Sequence, residues 1–273
     1  MAARSWWRCR DLSLPLGERT LVMGILNLTP DSFSDGGLYL DPEMAVAHAR
    51  QMLGAGAEVI DVGAESTRPG AQPVSAADQL ARLGPLLARL DEVAGAVWSI
   101  DTSQPEVAEA ALAHGFHVVN DVWGLQRHPD LAAVVGRQRA GVVLMHNRLH
   151  EGQGDLAAEI VTFLERSQEI AEESGIAPEQ ILVDPGIGFG KNAQESVAAL
   201  RLIPQLVRHD WRVLVGVSRK RVLGHLTGRS VEDRAQATAV ASALAVALGA
   251  DAVRVHDVAE VTEAVRVADA MVR

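Results

Sequence analysis

Eight short apolar runs punctuate the chain, each breaking into a polar or glycine-rich segment: VMGILN (22–27), EVIDVG (58–63), AVWSID (96–101), HVVND (117–121), GVVLMH (141–146), QILVDPG (180–186), RVLVGVS (212–218) and DAVRVHD (251–257). They are rich in Val, Ile and Leu and lack strict alternation, the pattern of parallel strands covered on both faces. Helical patterns fill the intervals. Asp41 and Pro42 form an N-cap and first-turn pair ahead of a helix running to about Ala55. Ser75 and Asp78 resemble a capping box, and further starts are read at Gln104-Pro105, Asp155, Asn192 and Ser230. Gly115, Gly175 and Gly249 stand where helices close. Strands alternating with helices, without a Pro/Ser-rich linker, predict an α/β chain: one (β/α)8 TIM-barrel domain over 1–273, with an open doubly wound sheet as the alternative. The segment WWRCRDLSLPLGER (6–19) is expected to form an N-terminal hairpin that closes the bottom of the barrel.

Composition narrows the class. The chain has 273 residues, 48% hydrophobic and 22% charged, enough to bury a large core. Its formal charge of −10 argues against nucleic acid and anionic membrane as partners, since both require a basic surface. Arg4, Arg8 and Arg10 are not followed by a signal-like apolar run, and the Ala-rich stretch 237–250 is too short to span a bilayer. The single cysteine, Cys9, cannot make an intrachain disulfide and fits a reducing compartment, so the expected location is the cytoplasm.

Parallel strands put their carboxyl ends on one rim, where sites are built. Every one of the eight ends is polar here: Asn27; Asp61, followed by ESTRPG; Asp101; Asn120 and Asp121; Met145-His146; Asp184; Ser218-Arg219-Lys220-Arg221; and Arg254, His256 and Asp257. One polar strand end is a helix cap or a solvated turn, but eight are not explained that way. Burying such groups without partners costs about 1–3 kcal/mol each. Two chemical subsets separate. Asp101, Asn120 and Asp184 suit a flat heterocycle with several N–H donors. Arg68, Lys220, Arg254 and His256 suit phosphate. SFSDGG (32–37) and DPGIGFGK (184–191) are loops able to close over a ligand. The second is not a Walker A sequence, because Asn192 stands where Ser or Thr is required. Asp61 and His146 read as structural, Arg219 as the partner of a rim acid, and Met145 equally well as core or ligand contact.

NLTPDSFSDGG (27–37), ESTRPG (65–70), SIDTSQP (99–105), NDVWG (120–124), DPGIGFGK (184–191), GVSRK (216–220) and RVHD (254–257) together resemble the dihydropteroate synthase family, in its order and over nearly the whole chain from Thr20. The resemblance implies a folate-pathway transferase joining p-aminobenzoate to 6-hydroxymethyl-7,8-dihydropterin diphosphate. It implies that Asp101, Asn120, Asp184 and Lys220 hold the pterin, with Met145 against its ring and Thr67 also contacting this substrate. Arg254 and His256 would hold the diphosphate, and Asn27 would act through Mg²⁺. Phe33, Thr67, Arg68, Pro69 and Phe189 would form the p-aminobenzoate pocket; Arg221, at an expected helix N-terminus, meets either the p-aminobenzoate carboxylate or only solvent. The catalytic set would be Asp101, Lys220, Arg254 and His256, in a homodimer built on the late helices. Arg68, Lys220 and Arg254 are then expected to make the mouth locally basic. Two departures stand out: Ala64 replaces a usual second glycine, and the loop after His146 is short. Two other functions share the pterin barrel, a methyltetrahydrofolate-dependent methyltransferase and a catalytically silent paralogue. Retention of Asn27, Thr67, Arg68, Lys220 and Arg254 speaks against the silent form, and Arg254, His256 and the TRPG loop against the methyltransferase.

Overall fold

The computed structural model describes residues 6–28, 41–65, 74–148 and 154–273. The expected SFSDGG loop, with Phe33, and the loop bearing Thr67, Arg68 and Pro69 lie outside the described residues. Eight parallel strands form the barrel: β3 (Leu21–Asn27), β4 (Val59–Gly63), β5 (Val97–Asp101), β6 (Val118–Asp121), β7 (Gly141–Met145), β8 (Ile181–Asp184), β9 (Leu214–Val215) and β10 (Ala252–Val255). Their order is β8-β7-β6-β5-β4-β3-β10-β9, and a parallel bridge from Val183 to Val213 joins the two ends of the sheet. The expected barrel is therefore found. Its seventh barrel strand is shorter than the run 212–218 predicts, because Val213 turns to serve its neighbours. Its carbonyl accepts Asp251 N–H and Ala252 N–H, and its own N–H donates to the Asp251 carboxylate at 2.8 Å.

The predicted helix starts hold where a side chain caps them. Asp41 accepts Glu43 N–H at 2.9 Å to open α1 (Pro42–Gly54), and Ser75 accepts Asp78 N–H at 3.1 Å to open α2 (Ala76–Leu87). Gln104 precedes α3 (Pro105–Ala113), and α4 (Asp130–Gln138) follows without a side-chain cap. Asp155 caps α5 (Leu156–Glu173), and Asn192 and Glu195 form a reciprocal capping box on α6 (Ala193–Arg201). Past α7 (Ile203–Arg208) and α8 (Arg221–Thr227), the expected start at Ser230 moves later, to α9 (Ala235–Ala247). The Ser230 hydroxyl instead donates to Asp233 at 3.0 Å within a turn, and α10 (Val258–Val272) completes the ring.

β1 (Trp6–Cys9) and β2 (Leu12–Pro15) pair antiparallel as the predicted hairpin. Trp7, Cys9 and Leu16 pack with Leu21, Met23, Val59, Val97, Val118, Val143, Leu182, Leu214 and Ala252, one or two residues from each barrel strand. The hairpin thus seals the amino-terminal end of the barrel with apolar surface. Trp7 Nε1 donates to the Gln180 carbonyl at 2.9 Å, and Arg212 Nε donates to the Trp6 carbonyl at 3.0 Å. Gly141 is required beneath it, since a Cβ there would lie 2.6 Å from Cys9 Sγ. Burial raises the Cys9 thiol far above its ordinary range and leaves it inert. No helix among the described residues is long and apolar enough to cross a membrane.

Candidate active site

Side chains alternate across a strand, so the residues two positions beyond the apolar floor also face the barrel axis. Above Val59 comes Asp61, above Val97 comes Ser99, and above Val118 comes Asn120. Met145 follows Val143, Asp184 follows Leu182, Gly216 follows Leu214, and Arg254 follows Ala252. The next step reaches Gly63, Asp101, Ser218 and His256, with Asn27 at the end of β3. One period-two pattern explains why the polar strand ends converge, and glycine at 63 and 216 leaves the central space open.

Asp61 is fully buried and holds this layer together. Its carboxylate accepts the Ser99 hydroxyl at 2.5 Å, Asn120 Nδ2–H at 3.0 Å and Arg254 Nε–H at 2.6 Å. Arg254 Nη2–H reaches Asp101 at 2.7 Å. Two buried acids and one guanidinium therefore form a compact ionic unit. Burial works against the charged guanidinium, but Asp61 and Asp101 outweigh it and raise the Arg254 pKa. Burial pushes the Asp101 carboxyl up, to about 7, with Arg254 opposing. Asp101 Oδ1 has no hydrogen-bond partner among the described residues. Asp184 is raised by burial against the opposing pull of Lys220, and it accepts Gly186 N–H at 2.7 Å.

Lys220 donates to the Ile187 carbonyl, and its ammonium lies 4.6 Å from the centre of the Phe189 ring. Burial lowers it to about 8, with Asp184 opposing. A Cβ on Gly216 would sit 3.6 Å from Asp184 Oδ2 and 3.9 Å from Lys220 Nζ, so that glycine keeps the space between acid and base free. His256 Nδ1 is 3.0 Å from the Ser218 hydroxyl, which also accepts His256 N–H at 3.1 Å. Met145 is buried with its side chain on the interior face. Asn27 Oδ1 lies 3.6 Å from where a Cβ on Gly63 would stand, and Asp101 Oδ2 lies 3.8 Å from the same point. Among the described residues no three His, Cys, Asp or Glu side chains gather around a metal position. The Asn27 amide oxygen is a hard donor of the kind a divalent ion accepts.

Asn27, Asp101, Asn120, Met145, Asp184, Lys220, Arg254 and His256 thus stand at the carboxyl-terminal end of the barrel strands, with the Phe189 ring against Lys220. Arg221 is exposed at the first turn of α8. Arg219, at φ 57°, makes a two-pronged pair with Asp257, the rim acid expected for it. Asp121 braces the loop after β6, accepting Ser103, Trp123 N–H and Leu125 N–H. One expectation is corrected. Arg254 adds little free positive charge to the mouth, because Asp61 and Asp101 take up two of its nitrogens and Asp184 offsets Lys220, while Arg68, the third expected cation, lies outside the described residues.

A family model described as pterin binding enzyme matches residues 23–256. The dihydropteroate synthase of Bacillus subtilis is 39% identical over 259 residues, 95% of this chain and 91% of that protein. That of Synechocystis is 41% identical over 265 residues, 94% and 92% of the two chains. The Clostridium difficile enzyme solved in the presence of pteroic acid superposes with a TM-score of 0.92 at 40% identity, covering 95% of this chain and 99% of its own. The Xanthomonas albilineans enzyme with 4-aminobenzoic acid gives 0.92 at 41%, covering 98% of each. The chain belongs to the dihydropteroate synthase family.

Two features of this family member escape a reading of strand ends alone. Asp61, read as structural, does pair inside the barrel, but it orients Asn120 and Arg254 rather than merely filling the core. Lys191 is the last residue of the glycine-rich loop 184–191. It is only 8% exposed, and its ammonium lies 2.8 Å from His146 Nδ1. A lysine following glycines, opposite a histidine at a neighbouring strand end, was the available signal.

Removing Asp61 takes away the buried acceptor of Arg254 Nε, Asn120 Nδ2 and the Ser99 hydroxyl and leaves Arg254 with Asp101 alone. Asp61→Ala is expected to lower unfolding free energy by about 3–5 kcal/mol in urea, and a loss below about 1 kcal/mol would show that the unit is not essential to the fold. His146 yields a pH prediction. Burial, reinforced by Lys191 and Arg148, lowers it from its ordinary 6.5 to about 3. Between those values the unfolded chain binds the proton and the native chain does not, so stability falls as pH drops from 6.5 toward 3. The stability advantage of the native protein over His146→Gln should shrink between pH 7 and 4.5 in parallel urea titrations. A constant difference would contradict a neutral buried ring.

Proposed function

We propose that this chain is a transferase of folate biosynthesis that condenses 6-hydroxymethyl-7,8-dihydropterin diphosphate with p-aminobenzoate to give 7,8-dihydropteroate and pyrophosphate. The observation that carries the reading is Asp101 Oδ1, a buried acceptor left bare on the strand next to Asn120. A bicyclic heterocycle with ring and exocyclic N–H groups would supply the missing donors, as buried polar atoms require. Relatives crystallised with pteroic acid and with 4-aminobenzoic acid support the same substrates.

The reaction breaks the bond between the exocyclic methylene carbon and a diphosphate oxygen, and the electron pair leaves with pyrophosphate. The amine nitrogen bonds to that carbon and gives up one proton to solvent. A neutral aromatic amine is already nucleophilic, so no strong base is needed. Positive charge builds on the pterin and its methylene carbon as the leaving group departs, and the Asp101 carboxylate, held in a water-poor barrel, stabilises it. Asn120, Asp184 and Lys220 orient the ring over Met145. His256, steadied by Ser218, and the donors of Arg254 not spent on Asp61 and Asp101 meet the diphosphate. Asn27 would hold Mg²⁺ together with diphosphate oxygens and water, and that ion, when bound, neutralises charge on the leaving group. Phe189 borders the p-aminobenzoate side, to which the family resemblance also assigns Phe33, Thr67, Arg68, Pro69 and Arg221. A thiol-poor chain acting on small soluble substrates fits the cytoplasm.

A homodimer is supported by the outer face of α9. Val240 and Leu244 on this helix are 56% and 60% exposed, and Leu226 on α8 is 62% exposed beside them. α9 is apolar around nearly its whole circumference, a pattern that calls for burial on both sides. Val267 and Met271 extend the apolar surface onto α10.

Purified protein supplied with both substrates and Mg²⁺ should release pyrophosphate and dihydropteroate together. Asp101→Ala should lower kcat by about 10²–10³-fold while circular dichroism stays unchanged. Absence of product from folded native protein would falsify the synthase reading and leave a pterin-binding module. Light scattering after gel filtration should give twice the chain mass. Leu244→Glu should halve it, and a monomeric native protein would remove the late-helix interface.

A further inference from the structure

The reaction proposed above makes no use of a second buried cluster, just behind the 184–191 loop. Lys191 Nζ lies 2.8 Å from His146 Nδ1 and donates to the Gly186 carbonyl at 2.8 Å and the Phe189 carbonyl at 3.2 Å. His146 is 1% exposed, sits edge-on to Phe163, and has Nε2 3.4 Å from Glu159. A ring that accepts the ammonium at Nδ1 carries its proton at Nε2, facing the Glu159 carboxylate. Arg148 continues the same seam. Its Nε donates to the Gly190 carbonyl at 2.8 Å, and its other nitrogens pair with Glu159, at 2.7 Å, and Glu195.

The loop is pressed against this seam as closely as a backbone allows. A Cβ on Gly186 would lie 1.8 Å from the His146 carbonyl oxygen, and one on Gly190 would lie 2.2 Å from the Arg148 carbonyl oxygen. Both glycines have positive φ, 69° and 60°. Successive loop carbonyls therefore point to opposite sides. Gly186 and Phe189 turn back to Lys191, while Ile187 turns forward to Lys220, whose ammonium also covers the Phe189 ring.

We propose that Lys191 is a positioning residue for the condensation: by tying the loop to His146 at the end of β7 and holding the Phe189 carbonyl, it sets where the Phe189 ring stands. This rests on the reading above that Phe189 and Lys220 meet the substrates. Asp184 stays anchored by its own strand and by Gly186 N–H, so loss of Lys191 should disturb the p-aminobenzoate side more than the pterin side.

Lys191→Met keeps the aliphatic stem and removes all three donor contacts. It is expected to raise the KM for p-aminobenzoate at least tenfold, with the KM for dihydropterin diphosphate changed less than threefold. His146→Leu, which removes the ring acceptor of Lys191 together with the Nε2 contact to Glu159, should move the same KM in the same direction. His146→Asn, which retains an acceptor near the Nδ1 position, should recover most of the loss, and this pair serves if Lys191→Met fails to fold. A smaller active fraction from general destabilisation would lower kcat and leave both KM values alone. That pattern, or unchanged kinetics in folded Lys191→Met, overturns the proposal. Native protein without turnover overturns the synthase reading and this proposal with it.

Discussion

The contact between Asp61 and Arg254 crosses the barrel from β4 to β10, with β3 lying between them. Neither charge could remain in this interior alone, because an isolated buried ion costs several kcal/mol even after relaxation. Each is therefore a condition for the other, and the pairing of β3 with both β4 and β10 is a condition for both. The remaining polar groups of the layer are arranged around the pair. Ser99 and Asn120 occupy other lone pairs of Asp61, and Asp101 takes the outer nitrogen of Arg254. The orientation of Asn120 and the placement of Asp101 are thus consequences of satisfying Asp61.

The apolar floor makes that arrangement chemically useful. Trp7, Cys9 and Leu16 fill the amino-terminal end, so the polar layer opens in one direction only. Water that would reach the acids from below is excluded, which is why burial leads the factors raising Asp101 and Asp184. The same exclusion makes a charge placed there act more strongly on a neighbouring reaction centre. A hairpin that looks like simple packing therefore helps determine the electrostatics of a site on the far side of the barrel floor.

The strand ends were legible in the amino-acid sequence because burial on two faces leaves a plain Val/Ile/Leu signature, against which Asp101, Asn120 and Asp184 stand out. Helix starts were legible wherever a side chain caps them, as at Asp41, Ser75, Asp155 and Asn192. Ser230 misled because a Ser with Asp three residues on suits an isolated turn as well as a capping box. The pairing of Arg254 was not legible. Its partners lie 193 and 153 positions away, and only closure of the sheet decides whether a guanidinium at a strand end faces a ligand or a carboxylate. Lys191 was hidden for a related reason: lysine after a glycine-rich turn usually points to solvent, and only the close approach of Gly186 and Gly190 to the β7 end turns this one inward.

The net charge of −10 takes on a different meaning at the site. The interior does not simply present positive charge to a diphosphate. It carries Asp61, Asp101 and Asp184 against Arg254 and Lys220, with each cation already engaged, on carboxylates or on a loop carbonyl. A ligand that brings only phosphate must compete with those contacts and gains little at the acids. A ligand that also brings N–H donors relieves the bare Asp101 oxygen and shares Asp184, so its heterocycle offsets part of the cost of loosening the cations. An ionic core balanced in this way favours molecules carrying both a donor-rich ring and an anionic tail over phosphates of similar charge. Selectivity then arises from the acids that at first appear to oppose an anionic substrate.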